Sequence, residues 1–422
     1  MKRIVSLIFL YLFVLAPLGA EAQTLAPSLE RSQAQTREKP KLRDFGSSLR
    51  RLKWDERKKA AVETKQKREK VKGSSDEDVI RVETTLVVSD VLVMDERGRP
   101  VLGLTRDDFV VAEDAKPQVI STFSLGDSAD VPRSIVLVID YSPSQNPFIK
   151  TSIAAAKTLV DKLGPRDRMA IVTDSVELLA DFTQDKDTLK KRLDSLERGA
   201  GSGRSLQFTA LMASLREMFS EEDVRPIIIF QTDGDELDEL RPMKGTPFVW
   251  PNRYSMVNPQ AFREFSLEDI WDTAERSRVT VYSVISGIRL IAVPEAEQLE
   301  RAKRVTELLF KPGRVRQEIE KKLERGRIDL KAEFPGIIRR QLAVATIAQV
   351  TGGWTEFLEG PAQAETVYSR VFADINQRYI IGYYPTNKNH DGKRRNVKVT
   401  VRDHPEYIVW GRKAYYAPEP EE

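Results

Sequence analysis

The feature that most constrains this chain is a change of period after Pro132. "SIVLVID" is a continuous apolar run, "FIKTSIAAAKTLVDKL" then spaces its apolar residues as a helix does up to Gly164-Pro165, and "DRMAIVTD" returns to a run. The alternation continues through helical "KDTLKKRLDSL" and "FTALMASLREMF", the strand "RPIIIFQTD", helical "SLEDIWDTAERSR" and the strand "VTVYSVIS". Uninterrupted apolar strands are buried on both faces, so strands alternating with amphipathic helices predict a sheet covered on both sides. The fold class is therefore α/β, a doubly wound and mostly parallel sheet. "QLAVATIAQVTGGWTEFL" and a helix around Ala362 to Asn376 complete it, giving a domain over 130–377. Two stretches interrupt the pattern: the proline-rich 238–263 is expected to be a surface loop, and 287–341 a charged, helical insertion.

Strand periodicity flanks this domain. Residues 76–127 alternate apolar with polar side chains between turn signals at Asp95 to Pro100 and Glu113 to Pro117, which predicts a small β unit. Residues 378–418 carry "RYIIGYYP" and "RNVKVTVRD", C-terminal strands offered as partners for the 76–127 unit.

Before Val79 the texture is different. Met1-Lys2-Arg3, the apolar run Ile4 to Leu18 and Ala20-Glu21-Ala22 have the form of a signal peptide over 1–22, and the run is shorter than the roughly 20 residues of a spanning helix. The expected localisation is therefore exported, periplasmic or secreted. Residues 23–75 form a basic linker: between Arg31 and Lys72, sixteen Lys and Arg stand against six Asp and Glu. With so few large apolar residues it reads as a flexible spacer. Leu49, Leu52 and Trp54 offer a short amphipathic helix for peripheral membrane contact as the alternative. Nucleic acid suits that charge but not an export signal. No cysteine is present, so the fold rests on its apolar core without disulfides.

Chemistry gathers where strands end. In open α/β sheets, ligands bind beyond the carboxyl ends of the strands. Asp140, Ser142 and Ser144 follow the first strand, Asp233 follows "RPIIIFQT", and Thr209 opens a helix after the Gly199 to Gly203 loop. Oxygen donors without Cys or His select a hard cation, Mg²⁺ first and Mn²⁺ or Ca²⁺ next, with the hydroxyls as direct ligands and the carboxylates holding waters. Mainly neutral ligands leave such a cation able to accept a carboxylate from a partner.

Asp140-Tyr141-Ser142-Pro143-Ser144, the distant Thr209 and Thr232-Asp233-Gly234 resemble the metal-ion-dependent adhesion site of von Willebrand factor type A domains. The flanks "VLVMDERGRPVLGLTRDDFVVAEDAKPQVISTF" and "RYIIGYYPTNKNHDGKRRNVKVTV" are similar to those of exported type A-related proteins from acidobacteria. The resemblance spans about residues 79–418 and implies a Rossmann-like fold and a metal site at these five positions. Gln207-Phe208 depart from it, standing where relatives commonly carry glycine, which weakens Thr209 as a ligand.

Other chemistry finds less support. Asp235, Glu236, Asp238 and Glu239 read as a solvated acidic loop without EF-hand spacing. "GAGSGRS" lacks the lysine and glycine spacing of a phosphate loop, and His390 and His404 have no second ligand at metal spacing. No elbow motif surrounds Ser142. Tyr379, Tyr383 and Tyr384 read as core or interface. The expected function is non-enzymatic: a protein-binding module using Mg²⁺ to bridge to a partner's Asp or Glu, with a metal-independent envelope scaffold as the alternative.

Overall fold

The computed structural model describes residues 86–128, 131–198, 205–220, 225–241, 265–309 and 330–419, together with 52–55, 60–63 and the single positions 317, 321 and 325. The leader, most of the basic linker, the Gly199 to Gly203 loop and nearly all of 238–263 lie outside the described residues.

Strands β1 (Leu52–Asp55) and β2 (Ala60–Glu63) pair as an antiparallel hairpin, so Leu52 and Trp54 lie on a strand and not on the helix offered for them. Four strands come next: β3 (Val87–Met94), β4 (Phe109–Glu113), β5 (Lys116–Gln118) and β6 (Ile120–Leu125). The main domain then runs β7 (Arg133–Ile139), α1 (Ile149–Asp161), β8 (Arg168–Thr173), β9 (Leu178–Thr183), α2 (Lys186–Ser195), α3 (Gln207–Glu217) and β10 (Arg225–Thr232). It continues with α4 (Leu267–Arg276), β11 (Thr280–Ser286), α5 (Glu295–Leu309), α6 (Leu330–Val350), β12 (Thr355–Leu358) and α7 (Ala364–Asn376). Strands β13 (Tyr379–Tyr383), β14 (Arg394–Val401), β15 (Ile408–Trp410) and β16 (Ala414–Tyr416) end the chain.

The main sheet has the order β12-β11-β10-β7-β8-β9, parallel throughout except for the antiparallel edge strand β9. Numbered along the domain this is the 3-2-1-4-5-6 order of a doubly wound sheet, with its switch point between β7 and β10. Side-chain alternation explains the two layers. Ile135, Leu137 and Ile139 of β7 face α1, α2 and α7 through Ile153, Leu159, Leu189 and Val371. Val136 and Val138 face α3, α4 and α6 through Phe208, Ile270 and Val344. All of these side chains are buried.

The 287–341 stretch differs from a simple insertion. Its last twelve residues form the first half of α6, whose second half seals one face of the sheet with Ala343, Val344 and Ile347. Pro335 lies inside that helix, in its second turn.

The remaining strands join the two ends of the chain. β13 pairs antiparallel with both β3 and β6, and β14 with β4, so one core holds Val91 and Phe109 from the first part together with Tyr379, Ile381 and Tyr383 from the last. Tyr379 and Tyr383 are buried, whereas Tyr384 is half exposed. This β unit docks against the amino ends of the parallel strands. Arg225, the first residue of β10, is buried there with its Nε 2.8 Å from Asp90 Oδ2 and its two terminal nitrogens donating to the carbonyls of Gly126 at 2.7 Å and Ile375 at 2.6 Å. Trp410 donates to the Gly353 carbonyl at 2.8 Å and meets Trp354 edge-on. The carboxyl ends of the strands, at the other end of the sheet, are left clear of the β unit.

Candidate metal centre

Two strand ends at the switch point define the site. β7 stops at Ile139, and the chain turns through Asp140, Tyr141 and Ser142 into a short 3-10 turn, Pro143–Gln145, with Pro143 at its first position. Asp140 is held by its neighbours on both sides: its backbone N–H donates to the Gln231 carbonyl, and its Oδ1 accepts from the Ser142 N–H at 3.0 Å. β10 ends at Thr232. Gly234 then adopts φ +76°, a conformation cheap only for glycine, and swings the chain into the 3-10 turn Asp235–Glu239.

Four of the five candidate residues meet here. The hydroxyls of Ser142 and Ser144 are 2.8 Å apart, and Ser144 donates to Asp233 Oδ2 at 2.7 Å. Asp140 lies beneath them at 1% exposure. Burial raises the proton affinity of its carboxyl well above the usual range, and the nearby Asp233, Asp174 and Asp235 carboxylates add to it. Asp174, which follows β8 as Asp140 follows β7, is pushed up to about 7, by burial first. Hydrogen bonds from the Tyr141 N–H and from Ser205 oppose that shift.

Thr209 is turned elsewhere. Its hydroxyl donates to Glu236 Oε1 at 2.8 Å, and the same carboxylate accepts the backbone N–H groups of Phe208 and Thr209. Glu236 thus satisfies N–H groups that the first turn of α3 leaves without partners, where a negative charge also suits the helix dipole. The acidic loop is accordingly not the solvated segment expected of it. Glu236 is buried, and Asp238 is paired with Arg339 and Arg340.

Gln207, Gln145 and Asp174 join the site without having been expected there from the sequence. Gln145 donates to Asp233 Oδ2 at 3.0 Å. Gln207, the first residue of α3, is fully buried, and its Nε2 lies 2.5 Å from Asp140 Oδ2, 2.9 Å from Asp233 Oδ1 and 2.8 Å from Asp235 Oδ1. Its Oε1 accepts from the Thr232 hydroxyl and from the Gly234 N–H at 3.1 Å. The signal that could have found it was the replacement of an expected glycine by a residue with both a donor and an acceptor.

Among the described residues no three His, Cys, Asp or Glu side chains form a ready coordination shell. Where carboxylates do converge, an amide nitrogen lies between them. The donors nonetheless suit a hard cation: every group is an oxygen, two are neutral hydroxyls, and the buried carboxylates repel one another without a described lysine or arginine bonded to Asp140, Asp174 or Asp233.

No protein-family model and no curated protein matched the chain. Solved structures similar to it include the conserved hypothetical protein BatB from Bacteroides thetaiotaomicron, at 14% identity over 58% of this chain and 98% of that one, with a TM-score of 0.33. The vWF domain of the type V pili tip protein Mfa5 from Porphyromonas gingivalis shares 14% identity over 58% of this chain and 95% of its own, with a TM-score of 0.34. The manganese-loaded Plasmodium vivax TRAP protein shares 10% identity over 74% and 100%, with a TM-score of 0.30. The strand order and the antiparallel edge strand give the main domain the doubly wound, Rossmann-like fold that the resemblance to von Willebrand factor type A domains implied. No described helix is long and apolar enough to cross a membrane.

Proposed function

We propose that this type A-like domain is a non-catalytic protein-binding module, in which Ser142, Ser144, Asp140 and Asp233 hold a divalent cation that recruits an Asp or Glu side chain of a partner protein. The observation that carries the reading is the meeting of two hydroxyls and a carboxylate from separate strand ends at the switch point, with Asp140 buried beneath them. Oxygen donors of this kind suit Mg²⁺ first, then Mn²⁺ or Ca²⁺. When bound, such an ion supplies an electrophilic centre that its mainly neutral ligands leave open to one more anionic oxygen.

The chain's own residues set the geometry. Asp233 orients the Ser144 hydroxyl, Gln145 steadies Asp233 from the side, and Asp140 fixes the turn through the Ser142 N–H. Thr209 gives its hydroxyl proton to Glu236 and keeps its oxygen lone pairs, so it would join the set where α3 brings that oxygen to the ion. A partner carboxylate that drew α3 toward the cluster would tie binding to a shift of that helix.

Calorimetric titration of Mn²⁺ into the full-length chain tests the reading. A saturable one-to-one heat, lost in Asp233→Ala, is expected. Equal heats in the two proteins, or no saturable heat in either wild type or Gln207→Ala, would refute it. One observation favours the metal-independent scaffold instead: the Gln207 amide already gives Asp140 and Asp233 a shared donor without any ion.

A further inference from the structure

We infer that the Gln207 side chain is the resident occupant of the cleft between Asp140 and Asp233, a tethered neutral group in the place a cation would take. The occupancy stands on hydrogen-bond geometry alone. Its consequence for ion binding rests on the cation reading above.

An amide NH₂ has two protons, and here three carboxylate oxygens lie within 2.9 Å of the nitrogen, so its donor capacity is fully used. The oxygen end is equally engaged, by the Thr232 hydroxyl and the Gly234 N–H. Asp233 has no oxygen to spare: Oδ1 takes Gln207 and the Asp235 N–H, and Oδ2 takes Ser144 and Gln145. Gln207 and Asp140 are both buried, so their contact is made without competition from bulk water, and a hydrogen bond to a charged group is stronger there than at a surface. Asp233 is half-buried and Asp235 exposed.

An ion entering this cleft needs the same oxygens, and Gln207 must leave first. Its departure also removes the acceptor of the Thr232 hydroxyl, leaves the Gly234 N–H with only the Thr232 oxygen at 2.9 Å, and displaces the side chain of the first residue of α3. Occupancy of the site is in this way linked to the turn after β10 and to α3 through one side chain. A glycine at this position would carry no such link, so Gln207 lowers this chain's affinity for a free ion. It reserves tight binding for conditions in which α3 has already moved, as a docked partner would impose.

The test uses the full-length chain, with Gln207→Ala, which empties the cleft, and Gln207→Met, which keeps the volume and removes the donors. In chelator, both variants are expected to melt at least about 4 °C below wild type, because Asp140 and Asp233 lose their shared donor. Gln207→Ala is expected to bind Mn²⁺ at least about tenfold more tightly than wild type, with saturating Mn²⁺ restoring its melting temperature. Variants that melt with wild type in chelator would overturn the occupancy. So would Mn²⁺ affinity that is unchanged or weaker in Gln207→Ala. Lower melting with no Mn²⁺ uptake by either protein would leave the amide in place as a permanent substitute, and would end the cation reading instead.

Discussion

Removing the Asp90 carboxylate tests whether the β unit and the main domain are one cooperative body. Its side chain is 11% exposed and that of Arg225 is 4% exposed, with contacts at 2.8 and 3.2 Å. Breaking one partner of a buried ion pair typically costs about 3–5 kcal/mol, because the other charge is left uncompensated. In Asp90→Ala, Arg225 keeps the carbonyls of Gly126 and Ile375, and Arg378 keeps its bond to the Asp90 carbonyl. Those remaining acceptors set the expectation at the lower end, about 3 kcal/mol. Urea denaturation followed by tryptophan fluorescence reads the change, since Trp354 and Trp410 sit at the junction. The double variant Asp90→Leu/Arg225→Met is expected to recover most of the loss, because it leaves no charge stranded. A single-variant loss under about 1 kcal/mol, or a double variant no better than the single, would refute the argument that this charge pair is coupled across the junction.

Three further outcomes follow from named residues. Glu217 has its carboxyl pushed up to about 7 by burial. The native state therefore holds this proton more tightly than the unfolded chain, and stability falls as pH rises from about 4.5 to about 7. Because Glu217 is only half buried, Glu217→Gln should gain about 1 kcal/mol at pH 8 and nothing at pH 4, read from melting curves at the two pH values. Phe208→Ala should cost about 3–5 kcal/mol in denaturant titrations, since the ring is fully buried and meets Phe230 edge-on at 5.9 Å. Gly234→Ala should cost about 1–2 kcal/mol by the same measure, because φ is +76° and the added methyl lies 3.3 Å from Val344 Cγ2.

Much of the main domain was legible because its signal is local. The runs that became β7, β8, β10 and β11 are apolar on both faces, and the helices between them keep helical spacing. The strand-end residues Asp140, Ser142, Ser144 and Asp233 could be found because a short motif at a strand end depends on few distant contacts. Thr209 was a different case, since Glu236, twenty-seven residues away, captures its hydroxyl and no local pattern encodes that. Asp174 ends β8 as Asp140 ends β7, and "IVTD" beside "LVID" carried that parallel unread. Pro335 obscured α6, because a proline in the second turn looks like a boundary although only one backbone bond is lost there. The pairing of β13 with β3 has no local trace of register, since about 290 residues separate Val91 from Tyr379.

That last pairing also sets how the molecule bears load. The main domain is contained in a loop of chain whose two ends are fastened side by side, with Val87 opposite Tyr383. Tension applied between residue 86 and the C-terminus reaches the β ladders first. While they hold, it bypasses the sheet that carries Asp140 and Asp233. A partner pulled from the site while the chain is anchored at either end would load the parallel strands and the β unit, with its Arg225 and Arg378 clasps, in series. Assembly runs under the same constraint: β4 and β5 can pair with each other, but β3 and β6 have no partner strands until β13 exists, so the last part of the chain to be made closes the first.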